Sequence, residues 1–396
     1  MTAAAATAPI CEIDFYCDTT IANPVVAYKS MLATGPVVWL EKNDILAVCG
    51  YNAVMEVLRD HERFQSGRGV SIDDSINKLL IGSTLNSDPP AHDVTRKITI
   101  QPMLPKQIRA IRDRVDAVAQ ALAKKLVDQK HFDAATELAP HLPLTIVRDL
   151  VGLGDYGKEH MLNWGAATFE LMGNPGERRS TAIENMMGLR NFLEDPATLE
   201  NLSPDGWARL ATQRGIESGM SEDKAVELMR DYIAPSLDTT ISAIGYGIML
   251  FATHPDQWTK LRHDRKLMRN AIEEIVRLNT PIRSFTRYVN EDSVIATVPV
   301  KKGSRVLIVY GSANRDPDKF ERPDEFNIER STTGHVGFSQ GVHACLGMNL
   351  ARLEMDCLFN ALADRVERFE ISGNLTPGIN STIHSLSSIP VTAIKS

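Results

Sequence analysis

The chain has 396 residues, 43% of them hydrophobic and 23% charged, enough apolar material for a sizeable core. A net charge of −7, with no basic run, argues against a protein that tracks nucleic-acid phosphates. Cys11, Cys17, Cys49, Cys345 and Cys357 are irregularly spaced with no C-x-x-C, which argues against a disulfide framework or zinc site and suits a reducing cytoplasm.

Residues 1–10 are alanine-rich, lack a basic start and read as a disordered arm. Residues 11–396 read as one domain without linker, repeat or low-complexity tract. Segments 37–40 and 45–49 are expected strands joined at Lys42-Asn43-Asp44, followed by a helix near 53–60. Segment 64–86 is polar and glycine-containing, expected as a long functional loop with a short helix. From Pro105 onward, Ile108, Ile111, Val115, Val118, Leu122 and Leu126 recur at three- and four-residue steps, predicting an amphipathic helix. Helical patterns dominate from there to Arg277. The apolar stretch 232–253 has the length of a membrane span. Asp238, Thr239, Thr240 and Ser242 near its middle suit instead a buried helix beside a cavity. Segments 294–300 and 305–310 read as strands around Lys301-Lys302-Gly303. A proline-punctuated meander over 315–330 precedes a last helix ending near Asp364. The pattern as a whole predicts a mainly α domain with small β-sheets at one side.

The most informative stretch is Phe338-Ser339-Gln340-Gly341-Val342-His343-Ala344-Cys345-Leu346-Gly347, a cysteine in a glycine-flanked loop that runs into a helix. A metal-bound thiolate needs close backbone approach, which glycines at 341 and 347 permit. It also needs donors to temper its charge, and N–H groups at a helix start supply them. This pattern resembles the haem-binding loop of the cytochromes P450, and four motifs in that family's order extend the resemblance across residues 88 to 347. The resemblance implies a single triangular haem domain, haem b as cofactor and Cys345 as the axial iron ligand, with Phe338 in the same cofactor-binding loop.

Asp88-Pro89-Pro90-Ala91-His92-Asp93-Val94-Thr95-Arg96 sets an imidazole and a guanidinium four residues apart at a helix start, which suits paired carboxylates such as haem propionates. By resemblance His92 and Arg96 take that role, joined by Arg287 and His343. Glu274 and Arg277 share a helix face. In the family such a pair is buried and buttresses the meander before the cysteine loop, with Arg330 or a neighbour in 323–330 completing the network. Splitting dioxygen consumes protons, and a carboxylate beside a hydroxyl can relay them through water. The family's acid–alcohol pair falls on Asp238 and Thr239. Pro235-Ser236 stands where many relatives have Ala-Gly, and Pro235, lacking an N–H, predicts a kink.

Arg68-Gly69-Val70-Ser71, Phe169 to Met172, Arg230 and Phe285 resemble bacterial P450s that oxidise para-substituted benzoates. The resemblance implies that Arg68 and Ser71 bind a carboxylate, that Phe169, Met172 and Phe285 grip the ring, and that Ala234 joins the pocket. Asp231 departs from it, standing where those relatives have a serine, and leaves a neutral phenolic or methoxyaromatic substrate open. The expected activity is monooxygenation of a small aromatic substrate with O2: O-demethylation or hydroxylation of a para-substituted benzoate such as 4-methoxybenzoate. Alternatives are a P450 hydroxylase of a neutral methoxyphenol, terpene or fatty acid, and a haem-thiolate protein that does not activate O2. With no flavin fingerprint or cysteine cluster, electrons are expected from a separate ferredoxin and ferredoxin reductase that dock near Cys345, with Arg352 steering them. No nucleic-acid or membrane partner is expected, and the expected location is cytoplasmic.

Overall fold

The computed structural model describes residues 7–233 and 235–396. At its centre lie the helices Arg112–Gln129, Asp238–Thr253, Met268–Asn279 and Met348–Ala363. The periodic stretch after Pro105 forms two helices rather than one. Pro105–Ala110 and Arg112–Gln129 meet at Ile111, where φ −96° and ψ 0° leave the helical region. Arg112–Gln129 buries Val115, Ala119, Leu122 and Leu126 against Met348–Ala363, which buries Leu350, Leu353, Leu358 and Leu362 in return. At roughly 1.5–3 kcal/mol for each large side chain removed from water, this contact holds the last helix, and the cysteine loop before it, in place.

A six-stranded sheet runs in the order Ile10–Cys11, Val37–Leu40, Ile45–Val48, Arg305–Val309, Ser284–Val289, Phe64–Gln65. Residues 1–6 of the expected arm lie outside the described residues. Its far end is paired, since Ile10 registers with Trp39 and Trp39 N–H donates to Pro9 O at 2.9 Å. The 64–86 segment contains the strand Phe64–Gln65 and the helix Asp74–Leu80. The 294–300 run is a hairpin of Ser293–Ile295 and Val298–Val300, turning at Ala296 with φ 53°. It is not the partner of Arg305–Val309, whose two edges are taken by Ile45–Val48 and Ser284–Val289. A second sheet joins Val366–Ile371, Pro390–Lys395 and His131–Asp133.

The 232–253 stretch is interrupted rather than merely kinked. Helices Arg230–Ile233 and Asp238–Thr253 flank Pro235, which has no N–H to continue the ladder. Thr239 Oγ1 donates back to Pro235 O at 3.4 Å. Among the described residues no helix is long and apolar enough to cross a membrane.

Candidate functional site

A cavity of about 1430 Å³, its open mouth included, is walled by Thr239, Thr240 and Ala243 of one central helix and by Phe338, Cys345, Leu346 and Leu350 of the cysteine loop and last helix. Backbone geometry presents the sulfur. Cys345 N–H donates to Phe338 O at 2.8 Å, closing the loop on itself. Gly341 has φ +71°, and a Cβ there would lie 2.4 Å from Leu58 O, so the turn requires glycine. Gly347 differs: a Cβ would meet only Met103 Sδ, at 3.9 Å. Protein packing therefore does not demand glycine at 347, and the open space beside it belongs to the cavity. Burial pushes the Cys345 thiol up, while N–H groups of Gly347 and Met348 and the charges of Arg96 and Arg352 pull it down.

The loop rests on a dry ion network. Glu274 and Arg277 are fully buried and exchange two hydrogen bonds, Nε to Oε2 at 2.7 Å and Nη2 to Oε1 at 2.9 Å. Arg330 Nε donates to the same Glu274 Oε1 at 3.0 Å. Arg277 Nη1 also reaches Asn314 O and Pro323 O. The bidentate geometry offsets the cost of taking these charges out of water and clamps the meander beneath the cavity.

Arg96, Arg287 and His343 line the cavity. Arg96 Nη2 donates to Ala344 O at 2.7 Å, and Arg287 Nη1 donates to Thr286 O at 2.9 Å. Among the described residues neither guanidinium has a carboxylate partner. The His92 ring is buried, 4.6 Å from the His343 ring, and its Nε2 lacks a hydrogen-bond partner, whereas His343 Nε2 lies 3.8 Å from Asp88 Oδ1. Burial pushes His343 down to about 4 despite the nearby Asp88. Two cations without a carboxylate partner and the His343 imidazole therefore meet one apolar cavity that holds a thiol, with the His92 ring packed against His343.

The sequence pattern of the family "Cytochrome P450" matches residues 21–151 and 204–377. The chain belongs to the cytochrome P450 family. A Rhodopseudomonas palustris protein named Cytochrome p450 CYP199A2 is 34% identical over 390 residues, covering 97% of this chain and 94% of its own. A steroid C26-monooxygenase of Rhodococcus jostii is 31% identical over 71% of this chain and 60% of that protein. Among solved structures, the Mycobacterium marinum P450 CYP268A2 in complex with pseudoionone superposes with a TM-score of 0.86 at 25% identity, covering 97% of this chain and 99% of that one.

The protein is accordingly a P450 monooxygenase, and the family uses haem b with a cysteine thiolate as axial ligand. The residues present fit that group. The guanidiniums of Arg96 and Arg287, the orphaned Nε2 of His92 and the imidazole of His343 suit two propionates. Gly347 leaves room for a flat ring against the loop. Haem held there would supply the redox chemistry.

The acid–alcohol pair divides between wall and interior. Thr239 lines the cavity. Asp238 sits behind it, its Oδ2 buried without a partner, and burial pushes the carboxyl up to about 7. Phe169 and Phe285 line the cavity with Tyr310, and Phe285 and Tyr310 meet edge-on at 6.1 Å. Other expected substrate contacts lie elsewhere. Met172 is buried in the core outside the cavity wall. Ser71 Oγ donates to Leu171 O at 2.9 Å and accepts from Asp73 N–H at 3.1 Å, so its hydroxyl is committed to the fold. Arg68 is exposed and stacks on Tyr288, its Cζ 4.8 Å from the ring centroid. Ala234 lies outside the described residues. Arg352 is neutralised by Glu273, with Nε to Oε1 at 2.6 Å. The same Glu273 takes His335 Nε2 at 2.8 Å, so Arg352 is ion-paired at this surface and not a free cation.

Sequence reasoning did not single out Thr84, Tyr310 or Glu354 on the cavity wall and treated Asp231 only as a departure. Glu354 follows Leu350 by four residues, on the same buried helix face, and that spacing was the available signal.

Proposed function

We propose that this P450 inserts one atom of dioxygen into a small aromatic molecule, by O-demethylation or hydroxylation of a para substituent. In this reading the Cys345 thiolate is the axial ligand and Arg96, Arg287, His92 and His343 hold the propionates. Thr239, backed by the near-neutral carboxyl of Asp238, passes protons toward the cavity. A separate ferredoxin and its reductase deliver electrons. The observation that carries the aromatic reading is that Phe169, Phe285 and Tyr310 all line one cavity, surroundings suited to a flat ring.

The benzoate version rests on the sequence resemblance alone. An acid group would need a cation in the cavity. Arg96 and Arg287 face propionates in this reading, Arg68 is stacked outside, and the Ser71 hydroxyl is spent. Titrating the haem-loaded protein with 4-methoxybenzoate, 4-methylanisole, a monoterpene and a fatty acid tests the proposal. Small aromatics should displace the water ligand and shift the haem absorption toward high spin, and ferredoxin-supported turnover of methoxyaromatics should release formaldehyde. A shift with the terpene or fatty acid alone, at millimolar ligand, would overturn it.

A further inference from the structure

Asp231 brings a carboxyl into the wall of the same cavity as Phe169, Phe285 and Cys345. It sits in the short helix Arg230–Ile233, just ahead of the Pro235 interruption. Its Oδ2 accepts a hydrogen bond from Thr84 N–H at 3.1 Å, and the Thr84 hydroxyl acts on the same carboxyl. Neighbouring Arg230 does not pair with it. That guanidinium goes to Glu227 at 3.0 Å and to the carbonyls of Leu79 and Leu80. Burial raises the Asp231 carboxyl, as befits an acid held in an apolar wall. The charges of Arg230 and Arg96 both act on it, and Arg96 acts on Cys345 as well.

We propose that Asp231 selects neutral aromatic substrates that carry a hydrogen-bond donor, such as a phenol or a benzylic alcohol, over benzoate anions. The inference rests on the aromatic reading and names the substrate class within it. A few placed polar groups in an apolar pocket set a ligand's orientation, and the carboxyl oxygen not engaged by Thr84 is an acceptor for a substrate hydroxyl. A benzoate entering the same wall would bring a second carboxylate, and two carboxyls sharing a dry site cannot both ionise. It would have to carry a proton in with it, whereas an alcohol of the same shape would not. A site built to bond a hydroxyl also discriminates against the analogue lacking one.

The test uses the haem-loaded protein and three ligands of one skeleton: 4-methoxybenzyl alcohol, 4-methoxybenzoate and 4-methylanisole. Spectral titration should show the alcohol binding about tenfold or more tightly than the benzoate. Asp231→Leu should lose about tenfold in alcohol affinity while 4-methylanisole, which has no donor, binds as before and reports an intact pocket. Asp231→Ser should gain benzoate binding relative to alcohol, and it carries the comparison if the leucine variant fails to fold. Equal affinity for alcohol and benzoate in the unmodified protein, or a ratio unmoved in the variants, overturns the inference and leaves the aromatic reading standing. Failure of all three ligands to shift the spectrum sinks the aromatic reading, and the inference with it.

Discussion

Arg96 donates through Nη2 to the carbonyl of Ala344, 2.7 Å away, and so ties the helix Ala91–Thr99 to the residue just before Cys345. One guanidinium thus positions the cysteine loop and keeps its remaining donors toward the cavity. Arg96→Leu should lose about tenfold or more in haem retention, since hydrogen bonds to charged groups contribute roughly 1.5–3 kcal/mol. Arg96→Lys should fall between, because an ammonium is a point charge without the fork. Haem transfer to apomyoglobin measures both, and unchanged transfer rates would contradict the assignment.

Glu274 is the acceptor shared by Arg277 and Arg330. Glu274→Ala leaves two guanidiniums without their carboxylate in a buried site, a type of change that costs about 3–5 kcal/mol. Urea denaturation of the holoprotein should show a loss of that order. A loss below about 1 kcal/mol would mean that the network does not support the fold.

Gly341→Ala combines a left-handed backbone with a Cβ placed 2.4 Å from Leu58 O. The backbone term alone is about 1–2 kcal/mol, and the carbonyl it meets belongs to main chain that cannot swing aside. The variant should melt at lower temperature and bind haem poorly. A parallel Gly347→Ala should leave the thermal stability of the haem-free protein nearly unchanged, because only Met103 Sδ lies near its Cβ.

Glu354 is buried, its Oε1 has no partner, and burial pushes its carboxyl from 4.5 up to about 8. Between those values the unfolded chain has released this proton while the folded protein still holds it. Stability from this group is therefore complete below about pH 4.5 and declines as pH rises toward about 8. Glu354→Gln should flatten that decline in denaturation midpoints measured across the window. Asp238, raised to about 7, contributes a similar decline that the variant leaves in place. An unchanged slope would show that Glu354 is ionised in the fold.

Arg68→Ala should change the affinity for any small aromatic ligand by less than about twofold. The side chain is exposed and its cation–π contact with Tyr288 is of a kind that contributes about 0.5–1 kcal/mol to stability at such sites. Spectral titration decides the matter. A tenfold loss confined to acids would mean that the 66–71 loop turns Arg68 inward when an acid binds.

Residues in and around the cavity were legible where local spacing carries the chemistry. The Cys345 loop, the Glu274–Arg277 step and the His92–Arg96 helix each bring their groups together within a turn or two, so periodicity alone orders them. The strand Ser284–Val289 escaped notice because Ser-Phe-Thr-Arg-Tyr-Val is buried almost throughout and lacks the polar–apolar alternation of a half-exposed strand. The hairpin over 293–300 was misread for a related reason: which strands pair is set by competition for edges, and Arg305–Val309 already had two partners.

Side-chain direction was the harder matter. Arg68 and Ser71 have the residue types of an acid clamp, yet one stacks on Tyr288 and the other bonds Leu171 O. Those outcomes depend on Ser284–Val289 and the 161–172 helix, far away in the chain. Glu354 went unnoticed for a similar reason, since a glutamate on an amphipathic helix is ordinarily solvated.

By itself the sequence determined a mainly helical enzyme of the P450 family and named its thiolate loop, because those signals reside in short runs whose backbone demands are local. Only the tertiary structure decided which side chains face the cavity. Asp231 turns inward, Arg230 pairs with Glu227 and Arg68 stays outside. The reason is physical: burial and charge pairing depend on which segments pack together across hundreds of residues, and no local pattern records that.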